Sequence, residues 1–233
     1  MRKIIVYIAT SADGFIARKD GAVDWLDRPR TAGDYGMAKF YKSIDTILWG
    51  RKTYEMVLKF QDEGKDHPDI YGGIKNYAFS RRPPRNVARG FEFVKQPIKE
   101  FAKSLRAKKG KDIWMMGGAG IIASFLDEGE IDEFIIHVIP TFIGEGIPLV
   151  APRNRTVPLK LLACKKFSDG VVRLHYSVVK EKAKKAAKKK PVGSPTLREG
   201  RNQGALNRQR VRVARLALAN APTSDTVCRV VRY

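Results

Sequence analysis

The sequence contains few of the residues that metal sites and disulfide scaffolds require. Its 233 residues include two cysteines and three histidines, and Cys164 and Cys228 have no neighbours at the spacings of metal ligands. His137 and His175 fall in predicted strands, where packing or surface exposure explains them. We therefore predict no metal site, and the two isolated cysteines favour a reducing, cytoplasmic location.

Long apolar runs are absent as well. No run approaches the roughly 18 residues that a bilayer-spanning helix needs. The first apolar run, residues 4–9, is too short for the core of a signal peptide. These absences predict a soluble protein that has no membrane partner.

Acidic residues are scarce, and the resulting positive charge is unevenly distributed. The chain has 24 Asp and Glu against 45 Lys and Arg, a formal net charge of +21. Residues 181–233 hold 14 of the cations and only three of the acids. They begin with a Lys/Ala run followed by Pro, Gly and Ser, a composition that favours disorder. We therefore predict one domain over 1–180 and a basic, disordered C-terminal tail over 181–233.

This tail supports an alternative function. Clustered Lys and Arg neutralise nucleic-acid phosphates without sequence preference, so the chain could be a nucleotide- or nucleic-acid-binding protein without catalysis. A solvated arm explains the same composition, and so does an extension produced by an altered reading frame.

Residues 1–180 alternate between strand and helix patterns. A β-branched run at 4–9 is followed by a polar stretch to about Gly36, which we interpret as a loop. The turn Asp169-Gly170 between two apolar segments is typical of a hairpin. The alternation predicts an α/β sheet, mostly parallel with an antiparallel edge. Further strands are predicted at 45–50, 77–80, 112–116 and 131–140, and helices begin near residues 37, 53, 97 and 119.

Three predicted strand-to-helix junctions carry residues that suit phosphates. They are Gly50 to Thr53, Ser80 to Arg82, and the Gly-Gly-Ala-Gly turn at 117–120. Glycines and cations at helix starts favour anions, because the first N–H groups there are unpaired. Each junction alone is also explained by a tight turn or a solvated surface. Because parallel strands end at one edge, together they predict a ligand with several phosphates, such as NADPH. Neither a G-x-G-x-x-G motif after the first strand nor a Walker A motif is present.

Five segments in this order resemble the dihydrofolate reductase superfamily: "IATSADGFIA", "LWGRKTYE", "FSRR", "IWMMGGAGIIASFL" and "PTFIGEGIPL". Within it, the chain is most similar to stand-alone homologues of the reductase domain of riboflavin biosynthesis, the C-terminal part of the bifunctional deaminase-reductase. The resemblance covers residues 1–180 and implies a dihydrofolate reductase-like three-layer α/β fold. It also implies homodimers and hydride transfer from NADPH to a C=N or C=O group. The implied substrate is pyrimidine-like, pterin-like or ribosylamino, as for 5-amino-6-(5-phosphoribosylamino)uracil reductase.

The resemblance also implies roles for individual residues. Around the nicotinamide it places Ala9, Gly14, Phe15 and Ile16. At the adenosine-side phosphates it places Gly50, Arg51, Lys52 and Thr53, with Ser80 and Arg81 at the 2′-phosphate. Under the pyrophosphate it places Gly117, Gly118, Ala119 and Gly120. On the substrate side it places Trp25, Gly144, Glu145 and Gly146.

The proton donor is left open between three sources. Dihydrofolate reductases carry a carboxylate in the first helix, and counting back from Gly50 by their usual spacing gives Asp34. Asp13 and an ordered water are the other sources, and both aspartates are also explained as loop residues. The arginine that anchors folate has no clear counterpart, so true dihydrofolate reductase activity is not expected. The zinc deaminase half of the bifunctional enzymes is not expected either, because its His and Cys ligands are missing.

Overall fold

The computed structural model describes residues 1–29, 32–62, 73–85 and 87–180 of the chain. Residues Met1–Lys180 form one compact unit. The tail predicted over 181–233 lies outside the described residues, as does Cys228, so its disorder stays a prediction. None of the helices found in these ranges is both long and apolar enough to cross a membrane.

The described part of the chain contains one eight-stranded sheet and one small two-stranded sheet. The helices are α1 (Met37–Lys42), α2 (Arg51–Asp62), α3 (Ile98–Ala107) and α4 (Ala119–Asp127), with a 3-10 turn at Asp24–Leu26. The strands are β1 (Ile4–Ser11), β2 (Phe15–Ala17), β3 (Ile44–Gly50), β4 (Lys75–Phe79), β5 (Phe91–Val94), β6 (Asp112–Gly117), β7 (Glu133–Ile139), β8 (Ile147–Pro148), β9 (Leu159–Lys166) and β10 (Val172–Val178).

The large sheet is mixed and mainly parallel, as predicted. Its order is β5-β4-β3-β6-β1-β7-β10-β9. The first six strands of that order run parallel, while β10 pairs antiparallel with β7 and β9. Gly170, at the predicted hairpin turn between β9 and β10, has a φ of +87°, which glycine adopts readily. The antiparallel edge of the sheet is therefore the C-terminal hairpin.

Helices cover both faces of the sheet, because alternate residues of a strand point in opposite directions. On one face, Ile4 and Val6 of β1 belong to a core cluster with residues of α3 and α4. On the other face, Ile5 and Tyr7 belong to a cluster with Phe40 of α1 and residues of α2. This gives the three layers that the resemblance implies.

Two parts of the sequence prediction were wrong. The stretch from Thr10 to Gly36, interpreted as a loop, contains β2, which pairs with β8 from more than 120 residues further along the chain. Strand β5 was not predicted, and it adds an edge strand beside β4. All of these strands are four residues or shorter. Segments this short show no reliable period, and their partners rather than their composition make them strands.

Candidate cofactor site and active site

The first and third junctions touch each other at the edge where the parallel strands end. Trp49 of β3 pairs with Gly117 of β6. A Cβ atom built on Gly50 would lie 3.2 Å from the Gly117 carbonyl oxygen and 3.3 Å from the Gly118 nitrogen. It would also lie 3.1 Å from a methyl carbon of Ile121. A side chain at position 50 would therefore crowd the backbone of the other turn, whether or not a ligand is bound.

The Gly-Gly-Ala-Gly turn leaves open space over the start of α4. No described side chain caps this helix, whose N-cap residue is Gly118. The N–H groups of its first turn can therefore donate hydrogen bonds to an anion. A Cβ atom on Gly118 would lie 3.3 Å from the Thr53 hydroxyl oxygen, whereas one on Gly120 would meet nothing within 4 Å. The peptide bond between Gly117 and Gly118 is cis. Backbone N–H groups and the Thr53 hydroxyl thus line one shallow surface.

The second junction forms a cationic cavity. Its volume is about 420 Å³, and it is lined by Arg51, Ser80, Arg81 and Arg82. The Arg51 guanidinium is held in place, because it donates to the Arg82 carbonyl oxygen at 2.8 Å and to the Glu55 carboxylate at 2.6 Å. Three guanidinium groups and a hydroxyl group suit the oxygens of a phosphate.

Arg51 belongs to both the first junction and this cavity, so the three junctions form one continuous surface. Arg82, to which the resemblance assigns no role, belongs to the second predicted junction and lines this cavity in the structure. Lys52 is exposed on the first turn of α2 and does not line the cavity.

The loop after β1 is held by side-chain and backbone hydrogen bonds. The Ser11 hydroxyl accepts from the Phe15 N–H at 3.0 Å. Gly14 turns the chain with a φ of +87°, and its carbonyl oxygen accepts from the Leu149 N–H at 3.1 Å. Ala9 packs against the cluster that contains Trp25. Ile16 is half-buried within β2. The nicotinamide-side residues of the resemblance thus lie on a well-anchored segment at the same sheet edge.

Asp13 accepts hydrogen bonds from two neighbouring segments. Its carboxylate takes the Ser11 hydroxyl at 2.5 Å and the Gly144 N–H at 2.7 Å, with the Ile143 N–H at 3.2 Å. These donors, the Ser11 hydroxyl first, lower the pKa of Asp13. The contacts tie the β1–β2 loop to the loop after β7. They also speak against a role as proton donor, because an ionised carboxylate has no proton to give.

Asp34, just before α1, also accepts hydrogen bonds that lower its pKa. Its exposed carboxylate accepts from the Ala38 N–H at 2.8 Å and the Gly36 N–H at 2.9 Å. These two backbone donors, Ala38 first, lower its pKa. The carboxylate satisfies N–H groups that the helix leaves unpaired. The catalytic roles of Asp34 and Asp13 stay predictions that these contacts do not favour.

The residues predicted on the substrate side make mainly structural contacts. Trp25 is 7% exposed and packs with Ile139, Phe167 and Val171, which leaves little of its ring for a ligand. Glu145 is exposed and forms an ion pair with Lys19. A Cβ atom on Gly146 would lie 2.3 Å from the Ala17 carbonyl oxygen, so the pairing of β2 and β8 requires glycine there. Gly144 contributes its N–H to Asp13.

A buried polar cluster beside α1 was not predicted. The imidazole of His137 lies 3.4 Å from the Tyr7 hydroxyl and 3.4 Å from the Tyr35 carbonyl oxygen, to which Arg173 also donates. Burial lowers the pKa of His137 and raises that of Tyr7 to about 12. Both groups are therefore neutral at pH 7, and they hold the segment that carries Asp34. The residues of this polar cluster come from three strands and one loop, so sequence spacing gives no signal for the cluster.

The described residues contain no group of three or more His, Cys, Asp or Glu that could hold a metal ion.

Comparisons with known proteins identify the family of this chain. A family model for the RibD C-terminal domain matches residues 78–173, which include the second and third junctions. The uncharacterized protein YwjB of Bacillus subtilis is 38% identical over 181 residues, covering 75% of this chain and 97% of YwjB. The chain belongs to the RibD C-terminal domain family.

Solved structures support the same fold. A putative riboflavin biosynthesis protein from Shewanella sp. PV-4 has a TM-score of 0.66 and 27% identity to this chain. The match covers 76% of this chain and 99% of the Shewanella protein. Dihydrofolate reductase from Enterococcus faecalis, solved with NADP(H), has a TM-score of 0.50 at 14% identity, covering 76% of this chain and 96% of its own. The first shows that this chain has the fold of a putative riboflavin biosynthesis protein, and the second confirms the dihydrofolate reductase-like architecture. Membership of the RibD C-terminal domain family thus gives the chain a fold whose relatives include oxidoreductases.

Proposed function

We propose that this chain is an NADPH-dependent reductase. The observation that carries the proposal is the continuous surface formed by the three junctions. The turn at Gly50 lies so close to the Gly117-Gly118 turn that a Cβ atom on Gly50 would be 3.3 Å from the Gly118 nitrogen, and Arg51, the next residue, lines the cationic cavity with Ser80 and Arg81. Backbone N–H groups at one end and guanidinium groups at the other match a ligand with a pyrophosphate and a separate phosphate.

The residues present fit this cofactor. The cavity of Arg51, Arg81 and Arg82 suits the extra phosphate that distinguishes NADPH from NADH. The open backbone at Gly118 and Gly120 suits the pyrophosphate, since a side chain at either position would occupy that space. When bound, the cofactor would supply the hydride.

The chain's own residues orient the reaction. The loop anchored by Ser11 and Asp13 places Gly14 and Phe15 at the end of β1, beside Ala9, where they would line the nicotinamide and exclude water. Such orientation is the larger part of what hydride transfer requires from a protein. Of the three proton sources, an ordered water fits best, because Asp13 and Asp34 have lowered pKa values.

The substrate that we propose carries a C=N or C=O group on a pyrimidine-like, pterin-like or ribosylamino compound. The support is membership of the RibD C-terminal domain family, together with the absence of a counterpart to the folate-anchoring arginine. The proposal includes a cytoplasmic homodimer.

A binding experiment tests the cofactor. We expect full-length protein to bind NADPH at micromolar concentration, followed by nicotinamide fluorescence, and to bind NADH at least tenfold more weakly. Arg81→Ala should weaken NADPH binding about tenfold, since a hydrogen bond to a charged group contributes roughly 1.5–3 kcal/mol, and should leave NADH binding unchanged. The matched control is Arg89→Ala, an exposed arginine that does not line the cavity. Failure of the wild type to bind either nucleotide would end the proposal.

A turnover experiment then tests the substrate class. NADPH consumption is measured with 5-amino-6-(5-phosphoribosylamino)uracil, with dihydrofolate and with small pterins. We expect turnover with the ribosylamino compound or a pterin and none with dihydrofolate. Turnover with dihydrofolate alone would contradict the substrate assignment while leaving the cofactor assignment intact.

A further inference from the structure

A short segment, residues 147–151, links two parts of the site that are distant in sequence. We call it the strap. At its start, Ile147 and Pro148 form β8 and pair with β2. Next, the Leu149 N–H donates to the Gly14 carbonyl oxygen at 3.1 Å, and at its end the Ala151 N–H donates to the Ala119 carbonyl oxygen at 3.2 Å. The strap therefore joins the loop after β1 to the first turn of α4.

These two attachment points lie at opposite parts of the proposed cofactor site. Gly14 belongs to the nicotinamide side, and Ala119 belongs to the turn under the pyrophosphate. Their separation is set by non-local contacts, since more than 100 residues lie between them in the chain. A covalently continuous segment bonded to both keeps the two surfaces at one spacing.

Arg155 holds the far end of the strap. Its guanidinium donates to the Ala151 carbonyl oxygen, at 3.3 Å from Nη1 and 3.4 Å from Nη2. Its Nε donates to the Asp127 carboxylate at 2.7 Å, and its side chain is only 16% exposed. Asp127 is the last residue of α4. The Ala151 N–H is thus bonded to the first turn of α4, and the Ala151 carbonyl oxygen is linked through Arg155 to the last turn of the same helix.

Arg153 offers a natural comparison. It also pairs with Asp127, and its Nη2 donates to the Ser124 hydroxyl at 3.1 Å. Its side chain is 44% exposed. The hydrogen bonds that the structure gives for it reach α4 and not the strap. The two arginines therefore share a carboxylate and differ in whether they contact Ala151.

We propose that Arg155 is a positioning residue for the cofactor site: it fixes the strap, and through it the spacing of Gly14 and Ala119. The identity of the ligand, NADPH, rests on the proposed function. The positioning role of Arg155 rests on hydrogen bonds within the protein. Without the guanidinium, the Ala151 carbonyl oxygen loses its hydrogen bonds to Arg155, and this end of the strap becomes more mobile. NADPH must then order both surfaces as it binds, which weakens affinity and leaves the bound geometry unchanged.

The test compares Arg155→Met with Arg153→Met, because methionine keeps an unbranched apolar stem at each position. We expect Arg155→Met to raise the Kd and KM for NADPH roughly five- to tenfold, the loss of about one to two hydrogen bonds, while kcat at saturating NADPH changes less than twofold. Arg153→Met should leave the Kd within twofold. Arg155→Lys retains the charge beside Asp127 and should recover part of the affinity.

Amide hydrogen exchange provides a readout that does not depend on the cofactor. In Arg155→Met, exchange at Leu149 and Ala151 should accelerate, and in Arg153→Met it should match the wild type. Wild-type exchange and wild-type Kd in Arg155→Met would overturn the inference, as would equal weakening of NADPH binding in both variants. If the wild type binds no NADPH, the proposed function fails, and the exchange comparison still decides whether Arg155 anchors the strap.

Discussion

Gly50 and Gly120 have different reasons to be glycine, although both were predicted as cofactor residues. A Cβ atom on Gly50 would lie 3.1–3.3 Å from atoms of Gly117, Gly118 and Ile121, which is closer than most side chains tolerate. Gly120 faces open space. The sequence shows both as glycines at a strand-to-helix junction and cannot separate these reasons. Only the structure shows that one is a packing requirement and the other is free for a ligand.

Alanine substitutions should separate the two reasons. We expect Gly50→Ala to lower stability by about 1–3 kcal/mol, because the new methyl group overpacks a rigid backbone contact. Gly120→Ala should leave stability unchanged or slightly raised, because alanine is the better helix former, and should weaken NADPH binding at least tenfold. Thermal unfolding and NADPH titration measure the two effects. A stable Gly120→Ala variant with wild-type affinity would contradict the placement of the pyrophosphate.

Among the elements, the segment after β1 differs most from its sequence-based prediction, because it was predicted as a loop and contains a strand. Its β2 strand pairs with β8, and Asp13 binds the N–H groups of Ile143 and Gly144. These partners lie about 130 residues away, so no local pattern reveals them. The sequence shows Asp13 as a carboxylate in a loop, which suggests an acid, but it does not reveal the hydrogen-bond donors that surround that carboxylate.

Asp13→Asn tests which role Asp13 has. A carboxylate with a lowered pKa in the folded state adds stability above its ordinary pKa of 3.8, and that contribution is lost as the pH falls through the folded value. We therefore expect Asp13→Asn to have a lower Tm than wild type at pH 7, and the difference to shrink below about pH 4. Its kcat should stay within a few-fold of wild type.

The control is Asp27→Asn, an exposed aspartate in the segment that follows β2. It should leave Tm unchanged at both pH values. An Asp13→Asn variant with wild-type Tm and abolished kcat would instead support the role of proton donor.

On the scale of the whole molecule, the positive charge is divided between residues 1–180 and residues 181–233. Residues Met1–Lys180 form the compact unit that carries the RibD-like fold, and YwjB matches this chain over 181 residues. The 14 cations of residues 181–233 are additional to it. The proposed reductase site and the alternative nucleic-acid-binding segment therefore occupy different stretches of the sequence.

Truncation after Lys180 tests this separation. We expect full-length protein to shift duplex DNA at 50 mM salt and to lose most of that affinity by about 200 mM, because binding through cations releases counterions. The 1–180 protein should bind DNA far more weakly and keep full NADPH affinity. Identical gel shifts for the two proteins would exclude a nucleic-acid role for the tail.

The sequence alone predicts the α/β class, the alternation of strands and helices in a mainly parallel sheet, the C-terminal hairpin and three strand-to-helix junctions that we propose bind phosphates. These follow from local periodicity and from glycine and arginine placed at strand ends, which short-range backbone preferences control. The folded structure is needed to show that the turns at Gly50 and Gly118 approach closely, that Asp13 binds a distant loop, and that Arg155 holds the strap. Gly50 and Gly118 are far apart in the chain, as are Asp13 and Gly144, so these contacts exist only once the sheet has brought their segments to one edge. Arg155 bonds Ala151 four residues before it, but its second partner, Asp127, lies at the end of α4, so this arrangement also depends on the folded chain.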